Sequence, residues 1–143
     1  MDENILNRRL IMSKYPKFAM AFNIGSTNEE RIEAFDMYQN AFNAKKVSEG
    51  TPPDSDEIHI TMDINGFEIL LAPGGKVEKI LENAMCCEIH FDNETDLRKA
   101  YDVLVCDALN YSLEGPVEWA TLLGLVIDKF GIAWALYYDE QNT

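Results

Sequence analysis

The chain is written twice to one plan. "AFDMYQNAFN", residues 34–43, lines up with "AYDVLVCDALN", residues 100–110, once a single inserted residue is allowed. Around each copy the same elements read out in the same order: a strand, a helix, then three strands. A repeat of this length is a duplicated module, because a solenoid needs three or more short units stacked in series. The repeat therefore fixes where each element should fall.

In the first copy, "KFAMAFNI" (17–24) alternates Phe18, Met20, Phe22 and Ile24 with Ala19, Ala21 and Asn23, which predicts a strand. "STNEERIEAFDMYQNAFNA" follows as a helix. Thr27 and Glu30 have capping-box spacing, and Ile32, Phe35, Tyr38 and Phe42 form the expected apolar stripe. A short strand near 45–49 and a Pro-rich loop, "GTPPDSD", lead to a hairpin over 57–63 and 66–72. Asn65-Gly66 is a two-residue turn signal. It sets Ile64 opposite Phe67, Asp63 opposite Glu68, Thr61 opposite Leu70 and His59 opposite Ala72.

A connector, "PGGKVEKILEN" (73–83), separates the copies. "AMCCEIHF" then reads as a strand with Met85, Cys87, Ile89 and Phe91 on one side. "DNETDLRKAYDVLVCDALN" is the second helix, with Asn93 as N-cap ahead of Asp96. Its stripe is Leu97, Ala100, Tyr101, Leu104, Val105 and Ala108. Strands are expected near 111–113, 119–127 and 132–138. The last two are joined by "DKFG", in which Gly131 can take a positive φ without steric cost. The final strand is lopsided. Ile132, Trp134, Leu136 and Tyr138 load one face, and Gly131, Ala133, Ala135 and Tyr137 leave the other nearly bare.

A chain of 143 residues, 47% of them apolar, can build one ordinary domain. We expect an N-terminal arm over 1–14 and a single domain over 15–143, its modules spanning about 15–75 and 84–139. The net charge of −13 argues against nucleic acid, whose phosphates need Lys and Arg, and against a basic membrane-binding face. No apolar run approaches the roughly 18 residues of a membrane span. The N-terminus lacks the apolar core of a signal peptide. Three cysteines, Cys86, Cys87 and Cys106, make neither a disulfide framework nor a C-x-x-C metal signature. Reduced thiols in a cytoplasmic protein are expected.

Three stretches carry a resemblance: "FNIGSTNEERIEAFDMYQNAFNAK", "GFEILLAPGG" and "WATLLGLVIDKFGIAWAL". The tandem βαβββ arrangement resembles the vicinal-oxygen-chelate superfamily, the fold of glyoxalases, bleomycin-resistance proteins and extradiol dioxygenases. The stretches themselves resemble its PhnB-like branch, often labelled as a 3-demethylubiquinone methyltransferase-like domain. Lys129 stands where that branch usually has Pro, and Ala120 where it has Gly after Trp119. The resemblance implies an α+β fold in which the two modules form a half-open mixed β-sheet barrel. Helices would cover its convex face, and its concave face would line a ligand cavity. Trp134 and its neighbours would then pack under helices, and the bare face would leave room in the cavity.

Metal-using members of the superfamily place His or Glu ligands on the first and last strands of each module. The matching positions here are Ala19, Leu70, Cys86 and Ala135. A lone Cys does not supply the three or four donors that zinc and its relatives need, so no metal and no cofactor are expected. Alternation puts His59, Thr61, Asp63 and Glu68 of the first module on the concave face, with Cys86, Glu88 and His90 of the second. These side chains could line the solvated rim of an open cavity, touch a ligand, or hold a metal. Glu88 and His90 could also act as an acid–base pair. Trp119 could stack on a ligand or serve packing, and Tyr137 could donate a hydrogen bond. Cys86 has no evident basic neighbour to activate it and reads better as a small buried residue.

The candidate ligand-binding set is thus His59, Glu68, Cys86, Glu88, His90, Trp119, Ala135 and Tyr137. The expected function is binding of a small organic molecule, without metal, by a homodimer. The alternative is a metal-dependent lyase, isomerase or dioxygenase using His59, Glu68, Glu88 and His90. A pure interaction module is a third class. No Gly-rich nucleotide loop follows a strand, so S-adenosylmethionine binding is not expected.

Overall fold

A computed structural model describes residues 18–74 and 84–142. The first module runs β1 (Met20–Asn23), α1 (Asn28–Phe42), β2 (Lys45–Gly50), β3 (His59–Ile64) and β4 (Phe67–Ala72). The second repeats it as β5 (Cys87–Phe91), α2 (Glu94–Leu104), β6 (Asn110–Glu114), β7 (Leu122–Ile127) and β8 (Ala133–Tyr138), with a 3-10 turn at Glu140–Asn142. Each module makes one four-stranded sheet, in the orders β1-β4-β3-β2 and β5-β8-β7-β6. In each, the first strand lies parallel to the last and the other pairs are antiparallel. The two sheets are not hydrogen-bonded to each other, so the barrel stays open as expected. The arm over 1–14 and most of the connector lie outside the described residues.

Local chemistry explains the punctuation. Thr27 Oγ1 accepts a hydrogen bond from the Glu30 amide at 3.2 Å, and Asn93 Oδ1 from the Asp96 amide at 2.8 Å, so both helices start on the caps their sequences offer. Asn65 and Gly66 both have positive φ, 49° and 91°, the twist a two-residue hairpin needs. Asp63 Oδ1 accepts from the Gly66 amide at 2.8 Å and holds that turn. Gly131 sits at φ 86° and its N–H bonds the Asp128 carbonyl at 2.9 Å. The outer strand β2 is exposed along its length, carries Lys45, Lys46 and Glu49, and is broken by a bulge between Lys46 and Ser48.

Some sequence expectations need correction. Ile32 is exposed, and the buried line of α1 is Arg31, Ala34, Phe35, Tyr38 and Ala41. Arg31 occupies that line because each of its three side-chain nitrogens has an acceptor. It donates to the carbonyls of Ile24, Gly25 and Ile58 at 3.1, 3.2 and 2.7 Å, and to Asn28 Oδ1 at 2.7 Å. Met85 precedes β5 and is exposed, so the pleat does not hold it against the core. β7 begins at Leu122, which leaves Trp119 outside it.

The helix-facing side of β8 does pack as expected. Trp134 and Leu136 are fully buried. Trp134 reaches into the first module, with ring centroids 5.9 Å from Phe22, 5.3 Å from Tyr38 and 4.7 Å from Phe42. The modules thus share one aromatic core within a single chain. At its centre lies Asp128, which is buried. Its Oδ2 accepts from the Tyr38 hydroxyl at 2.7 Å and the Trp134 indole at 2.9 Å. Its Oδ1 accepts from the Phe130 and Ile132 amides at 2.9 and 3.0 Å. Lys129, next in sequence, forms an ion pair with Glu33 of α1.

Burial raises the Asp128 carboxyl above the ordinary carboxylate value, with its four hydrogen bonds pulling the other way. The Tyr38 phenol is pushed well above its usual range, by burial first and then by that charge. Asp128→Asn leaves the Trp134 N–H facing an amide that cannot accept on that side. It should cost about 2 kcal/mol, a fall in Tm of ~4–8 °C for a chain of this size. Tyr38→Phe should cost about 1 kcal/mol. Because the folded carboxyl takes its proton at higher pH than the unfolded one, this group favours the folded state increasingly as pH falls through that interval. The stability gap between wild type and Asp128→Asn should therefore widen on mild acidification. Chemical denaturation from neutral pH downward would measure it, and a constant gap would contradict the assignment.

Candidate functional site

The concave face of the second module is built from β5 and β8, which pair in parallel. The pairing sets Glu88 beside Ala135 and His90 beside Tyr137. Residues paired in this way share a face, and here their side chains meet. The His90 and Tyr137 rings stack with centroids 4.9 Å apart and planes 12° apart. Glu88 Oε2 accepts a hydrogen bond from His90 Nε2 at 3.3 Å. Glu88 and His90 remain 54% and 70% exposed along their side chains, so this trio faces solvent. Ala135, between Glu88 and Leu125 in the sheet, is 2% exposed. The Tyr137 phenol is raised by burial, and then by the negative charge of Glu88 and Cys86.

The pairing also refines the family positions. Opposite Ala135 stands Glu88 rather than Cys86, and opposite Leu70 stands Ala21. Cys86 is exposed and precedes β5, which corrects its reading as a buried residue. The half-buried thiol is Cys87, pushed up to about 11 by burial, with Cys86 and Asp128 adding to it. A thiol held protonated in this way is a poor nucleophile.

The first module contributes less. The hairpin pairing is as the sequence predicts for Ile64, Asp63 and Thr61. His59 Nδ1 bonds the Glu57 carbonyl at 3.1 Å, and Asp63 is occupied with its turn. Glu68, beside Asp63, is exposed. Among the described residues no three His, Cys, Asp or Glu side chains converge as metal donors, so neither His59 nor Glu68 joins the Glu88–His90 pair in a donor set. Trp119 projects from a tight turn closed by Val117 and Ala120 and is 63% exposed. The bare face of β8 opens at Gly131 and Ala133 into a cavity of about 190 Å³, which Ala21 and Cys86 also line.

No protein-family model matches the sequence, and no curated protein matches it. Solved structures do match. A PhnB protein from Bacillus cereus, described as a 3-demethylubiquinone-9 3-methyltransferase, superposes with a TM-score of 0.66 at 18% identity, over 86% of this chain and 99% of that one. The chain has the vicinal-oxygen-chelate fold. A mutant fosfomycin resistance protein FosX from Listeria monocytogenes, complexed with Mn(II) and 1S,2S-dihydroxypropylphosphonic acid, matches with a TM-score of 0.64 at 13% identity, over 89% and 94% of the two chains. A glyoxylase/bleomycin resistance protein/dioxygenase domain from Frankia sp. EAN1pec gives 0.59 at 13%, over 88% and 97%. Likeness at such identities speaks for the fold alone.

Asp128 and Arg31 are the residues that sequence reasoning passed over. Both carried a signal. Asp128 interrupts an otherwise apolar stretch, and Arg31 falls on the same helical face as Ala34, Phe35 and Tyr38. Glu88→Gln removes one of the charges raising the Tyr137 phenol, while burial remains. Tyr137 should then titrate below its wild-type value yet still above a free tyrosine, as followed by NMR of the ring against pH. An unchanged titration would mean that Glu88 does not face Tyr137.

Proposed function

We propose that this protein binds a small organic molecule, aromatic and cationic, on the concave face of the second module. The stacked His90–Tyr137 pair is the observation that carries this reading. It presents a flat aromatic surface to solvent beside the Glu88 carboxylate. Such a surface attracts a planar or cationic group, and a carboxylate beside it favours positive charge. The net charge of −13 adds a long-range pull in the same direction. Ala135 keeps the floor beside Glu88 low. The separation of His59 and Glu68 from this trio supports a site that works without a divalent metal.

The homodimer expected from the resemblance belongs to this proposal, as does a cytoplasmic location. The described cysteines are free, which fits a reducing compartment. No helix among the described residues is long and apolar enough to cross a membrane.

A thermal-shift screen of cationic aromatic compounds and quinones tests the reading. A ligand at one hundred times its Kd stabilises the folded state by about 2.7 kcal/mol, which is several degrees of Tm. His90→Ala and Tyr137→Ala should each abolish that shift, and His90→Ala should do so without lowering the Tm of the free protein by much, since its side chain is 70% exposed. A screen in which no compound raises Tm would count against the proposal. Titration with Mn(II), Zn(II) and Ni(II) separates the rival. Stoichiometric binding lost on Glu88→Ala or His90→Ala would replace it with a metal-dependent enzyme.

A further inference from the structure

The cavity at the seam between the two sheets is lined by nine residues, and four of them carry sulfur: Met20, Met85, Cys86 and Cys87. The whole chain has three cysteines and six methionines, so nearly half of its sulfur-bearing residues line this one cavity. The other lining residues are small or apolar, with no carboxylate, imidazole or amine among them. Met20 and Cys87 are half-buried, and Met85 and Cys86 are exposed. Met20 starts the edge strand β1, and Cys87 starts the edge strand β5. The sulfurs therefore come from both modules. Cys86 and Met85 precede β5, outside its pleated pairing with β8. Methionine is flexible enough to fold over a guest.

A donor set of thiols and thioethers with no oxygen or nitrogen ligand is matched to soft cations. It is unsuited to calcium, magnesium or manganese, and it lacks the thiolate and imidazole count of a zinc site. We propose that this cavity binds one soft monovalent d10 cation, of the copper(I) or silver(I) type, through the Cys86 and Cys87 sulfurs with the Met20 and Met85 thioethers completing the shell. Each thiol that coordinates releases its proton to solvent, and no electron is transferred. The aromatic trio of Glu88, His90 and Tyr137 does not line this cavity, so the assignment stands apart from the organic-ligand reading.

The test uses the full reduced chain under anaerobic conditions, titrated with copper(I) against a chromophoric copper(I) chelator. One tight equivalent is expected, with an all-sulfur first shell by X-ray absorption. Cys86→Ser, Cys87→Ser, Met20→Leu and Met85→Leu should each weaken binding by at least about tenfold, the loss that even a supporting partner costs a metal site. Cys106 is an exposed free thiol outside the cavity, so Cys106→Ser should bind as wild type. Thermal unfolding of each metal-free variant guards against a folding defect. If Cys87→Ser fails to fold, Cys86→Ser and the two methionine variants decide. Absence of a tight equivalent overturns the proposal. So does binding indifferent to both methionines, which marks adsorption on surface thiols, or a shell containing nitrogen or oxygen.

Discussion

Asp128 is a carboxylate taken out of water, and the molecule is arranged around meeting that cost. Its two oxygens accept four hydrogen bonds: two amides of its own turn, the indole of Trp134 and the hydroxyl of Tyr38. A buried charge left without such partners would be prohibitive. The turn amides fix the β7–β8 connection, the indole fixes how Trp134 enters the core, and the hydroxyl brings in α1 of the other module. Tyr38 and Asp128 are ninety positions apart in sequence. One side chain thus sets a local turn, a core rotamer and the docking of two modules whose sheets share no backbone ladder. Among the described residues no buried side-chain nitrogen or oxygen lacks a partner, so the polar centre is fully matched.

What the sequence makes legible is what is decided nearby. Thr27, Asn93, Asn65-Gly66 and Gly131 act within four residues of themselves, and each sits where its local chemistry predicts. The hairpin pairing follows from its turn, and the repeat gives the order of both sheets. Asp128 and Arg31 escape such reading because their partners come from other elements. Asp128 looks like an ordinary turn residue until Tyr38 arrives, and Arg31 looks misplaced until the carbonyls of Ile24 and Ile58 surround it. Ile32 is misassigned for the same reason, since satisfying a guanidinium rotated the buried face toward Arg31.

The candidate site shows the same division. Alternation alone put Glu88, His90 and Tyr137 on one face. It could not show that His90 would stack on Tyr137, because that depends on how β5 pairs with β8 across forty-odd residues of intervening chain. The resemblance likewise matched Cys86 to a family position, whereas the residue that pairs with Ala135 is Glu88, two residues on along the same face. The sulfur-lined cavity is less visible still. Met20 lies in the first module and the cysteines in the second, and it is the fold that places them along one cavity.

The open seam has one more consequence, for contact with other chains. Two four-stranded sheets have four edges, and unpaired strand edges invite pairing with foreign strands. β1 and β5 border the seam. β2 is guarded by Lys45, Lys46, Glu49 and its bulge. The remaining edge, β6, pairs with β7 in unbroken register from Asn110 to Glu114, and it carries neither a lysine nor a bulge. Of the edges in the described residues, β6 thus lacks the guards that β2 carries, and Glu114 is the one charge along it.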